Sequence, residues 1–231
     1  MASKDPIQPQ SSIGRTYLVL YNATCAALWL SILVTTAKTW IQSPDITAVY
    51  KSAEPLTRYT QTLAVVEILH AALQITRSPV FTTFTQVFAR SVQVWAINYA
   101  FPSATAPSVA YTAMLLAWSS ADTIRYLYFA IMQAGYPVPA LLKWSRYSLF
   151  LALYPVGISS EWWLMYKATT IASNWAVLGI FYFFLGLYVP GKHSNSFPQV
   201  ASAAVSNLRY IGSVMMYSYM LKQRRKVLTK N

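Results

Sequence analysis

The sequence predicts an all-α protein, a polytopic bundle of transmembrane helices with six spans expected. Its composition is 55% hydrophobic and only 10% charged, against about 25% charged in an ordinary soluble domain. Aromatic residues make up 15% of the chain, with 8 Trp and 17 Tyr, as expected where rings lie at membrane interfaces. Several apolar runs have no polar face, and about 20 such residues suffice to cross the hydrocarbon core.

Apolar runs mark the six predicted spans in order along the chain. They cover residues 17–36, 59–76, 81–101, 109–132, 142–166 and a last run from residue 174 onward. A polar loop is predicted between the first and second spans. The uncharged turn "PSATAPS" (102–108) and the breaker "GYPVP" (135–139) flank the fourth span.

The two ends of the chain are predicted to lie in the cytosol. Residues 1–16 are polar without an apolar centre, which is unlike a cleavable signal peptide, so the first span is expected to act as a signal anchor. Residues 222–231 form a basic tail containing "KQRRK". Basic residues accumulate on the cytoplasmic side of membrane proteins. The predicted membrane domain is therefore residues 17–221, with an even number of spans.

The net charge of +12 does not indicate nucleic-acid binding. The basic residues are dispersed through short loops and the tail, and no recognition module is present. They favour contact with the lipid bilayer instead. Cys25 is the single cysteine, so neither an intramolecular disulfide nor a cysteine-rich metal site is expected.

Six ionisable residues fall in the interior of predicted spans, and near the bilayer centre a charge costs about 2.5–3.5 kcal/mol. Such residues are expected to face the bundle interior and to pair, either as structural contacts or around a substrate. Two pairs have the i, i+3 spacing of one helix face, Glu67 with His70 and Asp122 with Arg125. The chain has 2 His, so a metal site is not expected. The six residues are Glu67, His70, Arg90, Asp122, Arg125 and Glu161.

The stretch "LALYPVGISSEWWLMY" (151–166) is the strongest candidate for chemistry. Glu161 has no basic residue within four positions, and Tyr154 lies seven residues earlier, about 10.5 Å along the same helix face. Pro155 is predicted to kink the helix, and Gly157 permits a close approach. A carboxyl and a phenol facing one apolar cavity suit acid–base catalysis. The alternative is a kinked helix whose polar groups stabilise packing.

Five motifs in order resemble the very-long-chain 3-hydroxyacyl-CoA dehydratases, also called protein tyrosine phosphatase-like proteins. They are "VVEILHAALQITRSP" (65–79), "FARSVQVWAI" (88–97), "WSSADTIRYLYF" (118–129), "KWSRYSLF" with "YPVGISSE" (143–161) and "YMLKQRRKVL" (219–228). The resemblance covers most of the chain from residue 17. Phosphatase activity itself is not expected, because Cys25 has no arginine at the spacing that a phosphate loop requires.

The resemblance implies a multi-pass endoplasmic-reticulum protein with both termini cytosolic. It implies the third step of very-long-chain fatty-acid elongation, in which (3R)-3-hydroxyacyl-CoA loses water to give trans-2-enoyl-CoA. The family's catalytic pair falls on Tyr154 and Glu161. Glu161 is preferred as the base and Tyr154 as the donor to the leaving hydroxyl, with the reverse left open. No cofactor is expected, and an elongase, a ketoacyl reductase and an enoyl reductase are the expected partners.

Other residues are expected to support the site or to bind substrate. Arg77, Lys143 and Arg146 either meet the CoA phosphates or anchor the helices at the interface. The expected supporting set is Arg90, Asp122, Arg125, Arg146, Tyr147, Glu67 and His70.

Two features depart from the family pattern. Asp122 stands where the resemblance leads us to expect Glu in a "WSxxE" motif, which leaves altered substrate preference open. Residues 192–212 separate two parts of the expected last span. They are interpreted as a genuine insertion or as a translated intron, which the transcript sequence would decide.

The competing functions are a dehydratase for specialised acyl or polyketide thioesters and a non-catalytic membrane adaptor. A transporter is a weaker alternative, because the chain has no internal repeat.

Overall fold

The computed structural model describes residues 12–188, and that part of the chain is helical with no β-strand. A short π-helical segment, Gln93–Tyr99, directly follows α4. The α-helices are α1 (Ser12–Gln42), α2 (Thr47–Leu63), α3 (Val65–Ala72), α4 (Val80–Val92), α5 (Pro102–Thr105), α6 (Val109–Ala134), α7 (Ala140–Ser148), α8 (Phe150–Thr169) and α9 (Trp175–Tyr188). The predicted all-α class is confirmed.

The core lies where α1, α6 and α8 meet. Helix α6 packs along α1 over much of its length and along α8 on its other side, while α2 covers α1. Trp29, Ile32, Met114, Leu115 and Leu164 are fully buried between these helices. Helix α6 is therefore the central element, and its polar side chains face neighbours on two sides.

Helix α6 ends at the end of the bundle where α1 begins. Gly135 adopts a left-handed conformation with φ of 85° and caps α6, a conformation that glycine reaches without steric cost. Nε of Arg15, near the start of α1, donates a hydrogen bond to the carbonyl of Gln133. Four predicted spans therefore return the chain to the end at which it started.

The π-helical segment carries buried polar side chains. Nε2 of Gln93 donates to Oδ1 of Asn98 at 3.2 Å, a pairing across five residues that matches the i→i+5 pattern of a π-helix. The Tyr50 hydroxyl on α2 donates to the Asn98 carbonyl at 2.7 Å. This contact ties the segment to α2.

The polar loop predicted over residues 37–58 was wrong. Helix α1 continues to Gln42, and α2 occupies Thr47–Leu63 with Pro55 inside it. Helix α2 is amphipathic and buries some of its polar residues. Nε of Arg58 lies 2.9 Å from Oε1 of Glu54, and both side chains are largely buried. Polar residues that resembled a loop therefore form an ion pair on a helix.

The fifth predicted span is two helices instead of one. The break between α7 and α8 falls at Leu149, and α8 continues through Pro155. Proline removes one backbone donor, which leaves the carbonyl four residues earlier without its helical partner. The helix predicted to kink at Pro155 is instead interrupted at Leu149, one to two turns before the proline.

One helix among residues 12–188 is long and apolar enough to cross a membrane on length and composition, namely α1. Several other predicted spans are divided between two helical segments, at Ala64, at Gln93 and at Leu149. The expectations for residues 192–212, for the basic tail 222–231 and for most of the last span lie outside the described residues.

Candidate active site

The Glu161 carboxyl is buried between α8 and α6. It is 9% exposed, and the indole Nε1 of Trp118 donates a hydrogen bond to its Oε1 atom at 2.7 Å. Trp118 is itself 7% exposed. An indole nitrogen can only donate, so this bond occupies one oxygen of the carboxyl. The side chain predicted as the base is therefore held by a donor on the neighbouring helix.

Gly157 faces the same indole ring one helical turn before Glu161. A Cβ atom at Gly157 would lie 3.6 Å from Cδ1 and 3.7 Å from Nε1 of Trp118, which is ordinary van der Waals contact. The glycine thus leaves room for one methyl group beside the indole. A larger side chain would press on the ring that holds Glu161.

Arg90 connects the indole to a buried ion pair. Its guanidinium carbon lies 4.0 Å from the centroid of the Trp118 ring and 5.1 Å from that of Trp29. Nη2 of Arg90 is 2.6 Å from Oδ2 of Asp122, which is 4% exposed. Arginine suits this position because its planar group stacks on rings and pairs with carboxylates at once.

The predicted Asp122–Arg125 pair is confirmed, and it extends further. Nε of Arg125 donates to Oδ1 of Asp122 at 3.0 Å. Nη1 of Arg125 lies 3.3 Å from Oε2 of Glu67, and the hydroxyl of Tyr126 donates to Oε1 of the same glutamate. Asp122 therefore forms ion pairs with both arginines, and α3, α4 and α6 are joined by one polar network.

Glu67 and His70 share a helix, but they have different partners. His70 is 3% exposed, and its Nε2 atom lies 2.8 Å from the Tyr17 hydroxyl on α1. Its ring also packs edge-on against Tyr21, with centroids 4.8 Å apart. Among residues 12–188 no three His, Cys, Asp or Glu side chains cluster as metal ligands would.

Tyr154 lies on α8 about two turns before Glu161. Its side chain is half-buried, and its ring packs on Phe150 with centroids 4.7 Å apart. Seven residues make nearly two full turns, so both side chains lie on one face of α8. The pairing predicted from the i, i+7 spacing is thus compatible with the continuous helix.

Arg146 and Tyr147 lie on α7, beside the second half of α6. The Arg146 guanidinium carbon is 4.5 Å from the Tyr128 ring centroid and 4.6 Å from that of Phe129. It is 5.9 Å from the ring of Tyr147. Aromatic rings surround this guanidinium. Among residues 12–188 no carboxylate lies within salt-bridge distance of it. Arg77 lies exposed between α3 and α4, and Lys143 is half-buried on α7.

Trp118 is the member of the site that spacing did not suggest. It stands 43 residues from Glu161 in the chain, so no helical periodicity links them. The available signal was compositional, because an indole with a hydrogen-bonding N–H in an apolar helix needs an acceptor.

Comparisons with known proteins identify the family of the chain. A family model described as "Protein tyrosine phosphatase-like protein, PTPLA" matches residues 61–230. No solved structure matches the chain significantly.

Curated relatives resemble nearly the whole chain. A probable very-long-chain (3R)-3-hydroxyacyl-CoA dehydratase of Schizosaccharomyces pombe is 33% identical over 91% of this chain and 92% of its own. The very-long-chain (3R)-3-hydroxyacyl-CoA dehydratase PASTICCINO 2A of Oryza sativa is 36% identical over 95% of this chain and 96% of its own. The human very-long-chain (3R)-3-hydroxyacyl-CoA dehydratase 2 is 31% identical over 94% and 82%. The chain therefore belongs to the protein tyrosine phosphatase-like (PTPLA) family.

Proposed function

We propose that the protein is a membrane dehydratase that removes water from (3R)-3-hydroxyacyl-CoA to give trans-2-enoyl-CoA in very-long-chain fatty-acid elongation. The names of the curated relatives support the reaction. The observation that carries the proposal is the buried Glu161 carboxyl, which lies on the same face of α8 as Tyr154. Trp118 on α6 holds this carboxyl by a hydrogen bond.

The reaction needs a base at C2 and an acid at the 3-hydroxyl. The C2 proton of a thioester is weakly acidic, and hydroxide is a poor leaving group, so both steps need positioned proton carriers. In the proposed mechanism the Glu161 carboxylate takes the C2 proton. Tyr154 donates its phenolic proton to the departing oxygen, the C3–O bond breaks, and a C2–C3 double bond forms.

The proton balance closes without a redox partner. Glu161 gains one proton and Tyr154 loses one in each turnover, so transfer from the carboxyl to the phenolate restores both groups. The released water is proposed as one carrier of this proton. No net oxidation or reduction occurs in the elimination.

The polar network behind Trp118 is proposed to keep the site rigid. Asp122, Arg90 and Arg125 form charge-assisted pairs within a largely buried environment, where such pairs fix geometry more than they add stability. Glu67 extends the network to α3. His70 and Tyr147 are proposed as supports of α3 and α7, because both pack against tyrosine or arginine side chains.

The proposed membrane arrangement has six spans. Helix α1, the α2–α3 pair, α4 with the π-helical segment, α6, the α7–α8 pair and the run that begins with α9 would each cross once. The contact of Arg15 with Gln133 supports this, because four crossings must return the chain to its starting side. Basic residues at that end favour the cytosol, and the relatives' pathway favours the endoplasmic reticulum with elongase and reductase partners.

The test measures enoyl-CoA formation by the purified protein in lipid nanodiscs. Substrates are (3R)-3-hydroxyacyl-CoA thioesters of several chain lengths, with product followed by mass spectrometry. Tyr154→Phe and Glu161→Gln should each lower kcat about 100- to 10,000-fold, the usual range for a general acid or base.

The matched controls remove similar groups elsewhere. Glu54→Gln removes a buried carboxylate that pairs with Arg58 on α2, and Tyr59→Phe removes an exposed phenol; kcat per folded molecule should stay near wild type. The proposal fails if the wild-type protein forms no enoyl product, or if either catalytic-pair variant keeps full activity. Turnover of polyketide thioesters alone would favour the specialised dehydratase instead.

A further inference from the structure

We propose that Trp118 is the positioning residue of Glu161 and that its indole selects the Oε2 atom of this carboxyl as the oxygen that takes the C2 proton. The inference rests on the proposed dehydratase function and deepens it. Trp118 touches no substrate atom in this proposal, so it acts through Glu161.

The selection follows from the chemistry of the hydrogen bond. An indole nitrogen can only donate, and it lies 2.7 Å from Oε1 of Glu161. Protonation of Oε1 would weaken this bond, because a hydroxyl oxygen is a poorer acceptor than a carboxylate or carbonyl oxygen. The indole bond therefore favours Oε1 as the acceptor in both protonation states and Oε2 as the oxygen that takes the substrate proton.

The indole is itself held from several sides. Arg90 covers its face at 4.0 Å and is fixed by Asp122 at 2.6 Å, while Gly157 lies against its Nε1–Cδ1 edge. A cation over the ring withdraws electron density from it, and linked polar contacts strengthen one another. The result is a rigid and strengthened donor aimed at one carboxylate oxygen.

The test compares Trp118→Phe with Trp95→Phe. The control is matched in chemistry, since Nε1 of Trp95 donates to Oγ1 of Thr62 at 3.0 Å and its ring lies 5.0 Å from the guanidinium of Arg58. Each variant therefore loses one indole hydrogen bond beside an arginine. We expect Trp118→Phe to lower kcat about 10- to 100-fold with little change in KM, because misplacing a catalytic group by about 1 Å has that effect. Trp95→Phe should retain wild-type kcat.

A double-mutant cycle separates positioning from general destabilisation. Glu161→Asp withdraws the carboxylate by one methylene, so the indole bond is already lost. Trp118→Phe should then lower kcat less in this background than in the wild type. Trp118→Tyr serves as the second variant if Trp118→Phe gives too little folded protein, since it also lacks the indole donor.

The outcomes distinguish this inference from the proposed function. An active wild type with unchanged kcat in Trp118→Phe overturns the positioning role while leaving the dehydratase intact. The positioning role is also overturned if Trp118→Phe lowers kcat no more than Trp95→Phe does. It is overturned as well if Trp118→Phe lowers kcat by the same factor in the Glu161→Asp background as in the wild type. An inactive wild type instead removes the proposed function. If Glu161→Asp has no measurable rate, the kcat–KM comparison with Trp95→Phe decides.

Discussion

Oδ2 of Asp122 lies 2.6 Å from Nη2 of Arg90, and this ion pair joins α6 to α4 beside the indole of Trp118. The other carboxylate oxygen of Asp122, Oδ1, accepts a hydrogen bond from Nε of Arg125 at 3.0 Å. Removing the shared carboxylate would leave two guanidinium groups facing each other.

Asp122→Asn should destabilise the protein by about 3–5 kcal/mol, the usual effect of breaking a buried ion pair. The reason is that Arg90 and Arg125 lose their common counter-charge. Asp122→Glu keeps the charge and should retain most of the stability. The measurement is unfolding in a fixed detergent, with Asp45→Asn as the control, because Asp45 pairs with Lys51 on the exposed surface. Equal stability of Asp122→Asn and wild type would contradict a structural network.

Gly157→Ala should fold as well as wild type, because the added Cβ atom meets Trp118 at 3.6 Å, an ordinary contact. Gly157→Leu should overpack the α6–α8 interface, at about 1–3 kcal/mol, and should lower kcat by displacing the indole. Melting temperature and kcat check both. Gly179→Leu is the control, since no neighbouring atom of residues 12–188 lies within 4 Å of its Cβ position. A similar kcat loss there would reject the steric explanation.

Tyr17→Phe should cost about 1–3 kcal/mol of stability, because it leaves the buried His70 without its hydroxyl partner at 2.8 Å. The kcat per folded molecule should not change, since the pair ties α1 to α3 and has no part in the proposed chemistry. Unfolding and turnover are measured on the same preparation, with Tyr59→Phe as the exposed control. A selective kcat loss would place Tyr17 and His70 in the catalytic machinery.

Arg146→Ala should raise KM for a CoA thioester and for the matching pantetheine thioester by the same factor. The guanidinium packs on Tyr128 and Phe129, so its loss should loosen α7 without removing a phosphate contact. Steady-state kinetics with both substrates provide the measurement. A rise in KM confined to the CoA thioester would show that Arg146 binds the CoA phosphates.

The predictable parts of the fold were those that depend on local sequence. The apolar run over residues 109–132 predicted α6 within two residues at its end, and Gly135 marked where it stops. The region of α2 was missed because its polar residues, including Glu54 and Arg58, are paired with each other on the helix. Hydropathy cannot distinguish such a buried pair from a solvated loop.

The contacts of the site likewise divide into those that local sequence predicts and those that it does not. The Asp122–Arg125 contact could be predicted because both residues lie on one helix at i, i+3. The contacts of Arg90 with Asp122, and of Trp118 with Glu161, join helices whose relative rotation no local pattern specifies. The i, i+7 placement of Tyr154 and Glu161 was available from sequence, whereas the donor that holds Glu161 was not.

The π-helical segment Gln93–Tyr99 has a consequence for how this chain tolerates a deletion. Arg90 precedes the segment by three residues, so its direction relative to everything after the segment depends on that wider turn. Because a π-helical turn contains about one more residue than an α-helical turn, deleting one residue there would restore an α-helical pitch and leave the two halves close to their present relative orientation. With the second half anchored to α2 through Asn98, Arg90 would still face Asp122. A single-codon deletion at this point should thus be less damaging than one in the middle of α6, where the residues that follow would rotate by about 100°.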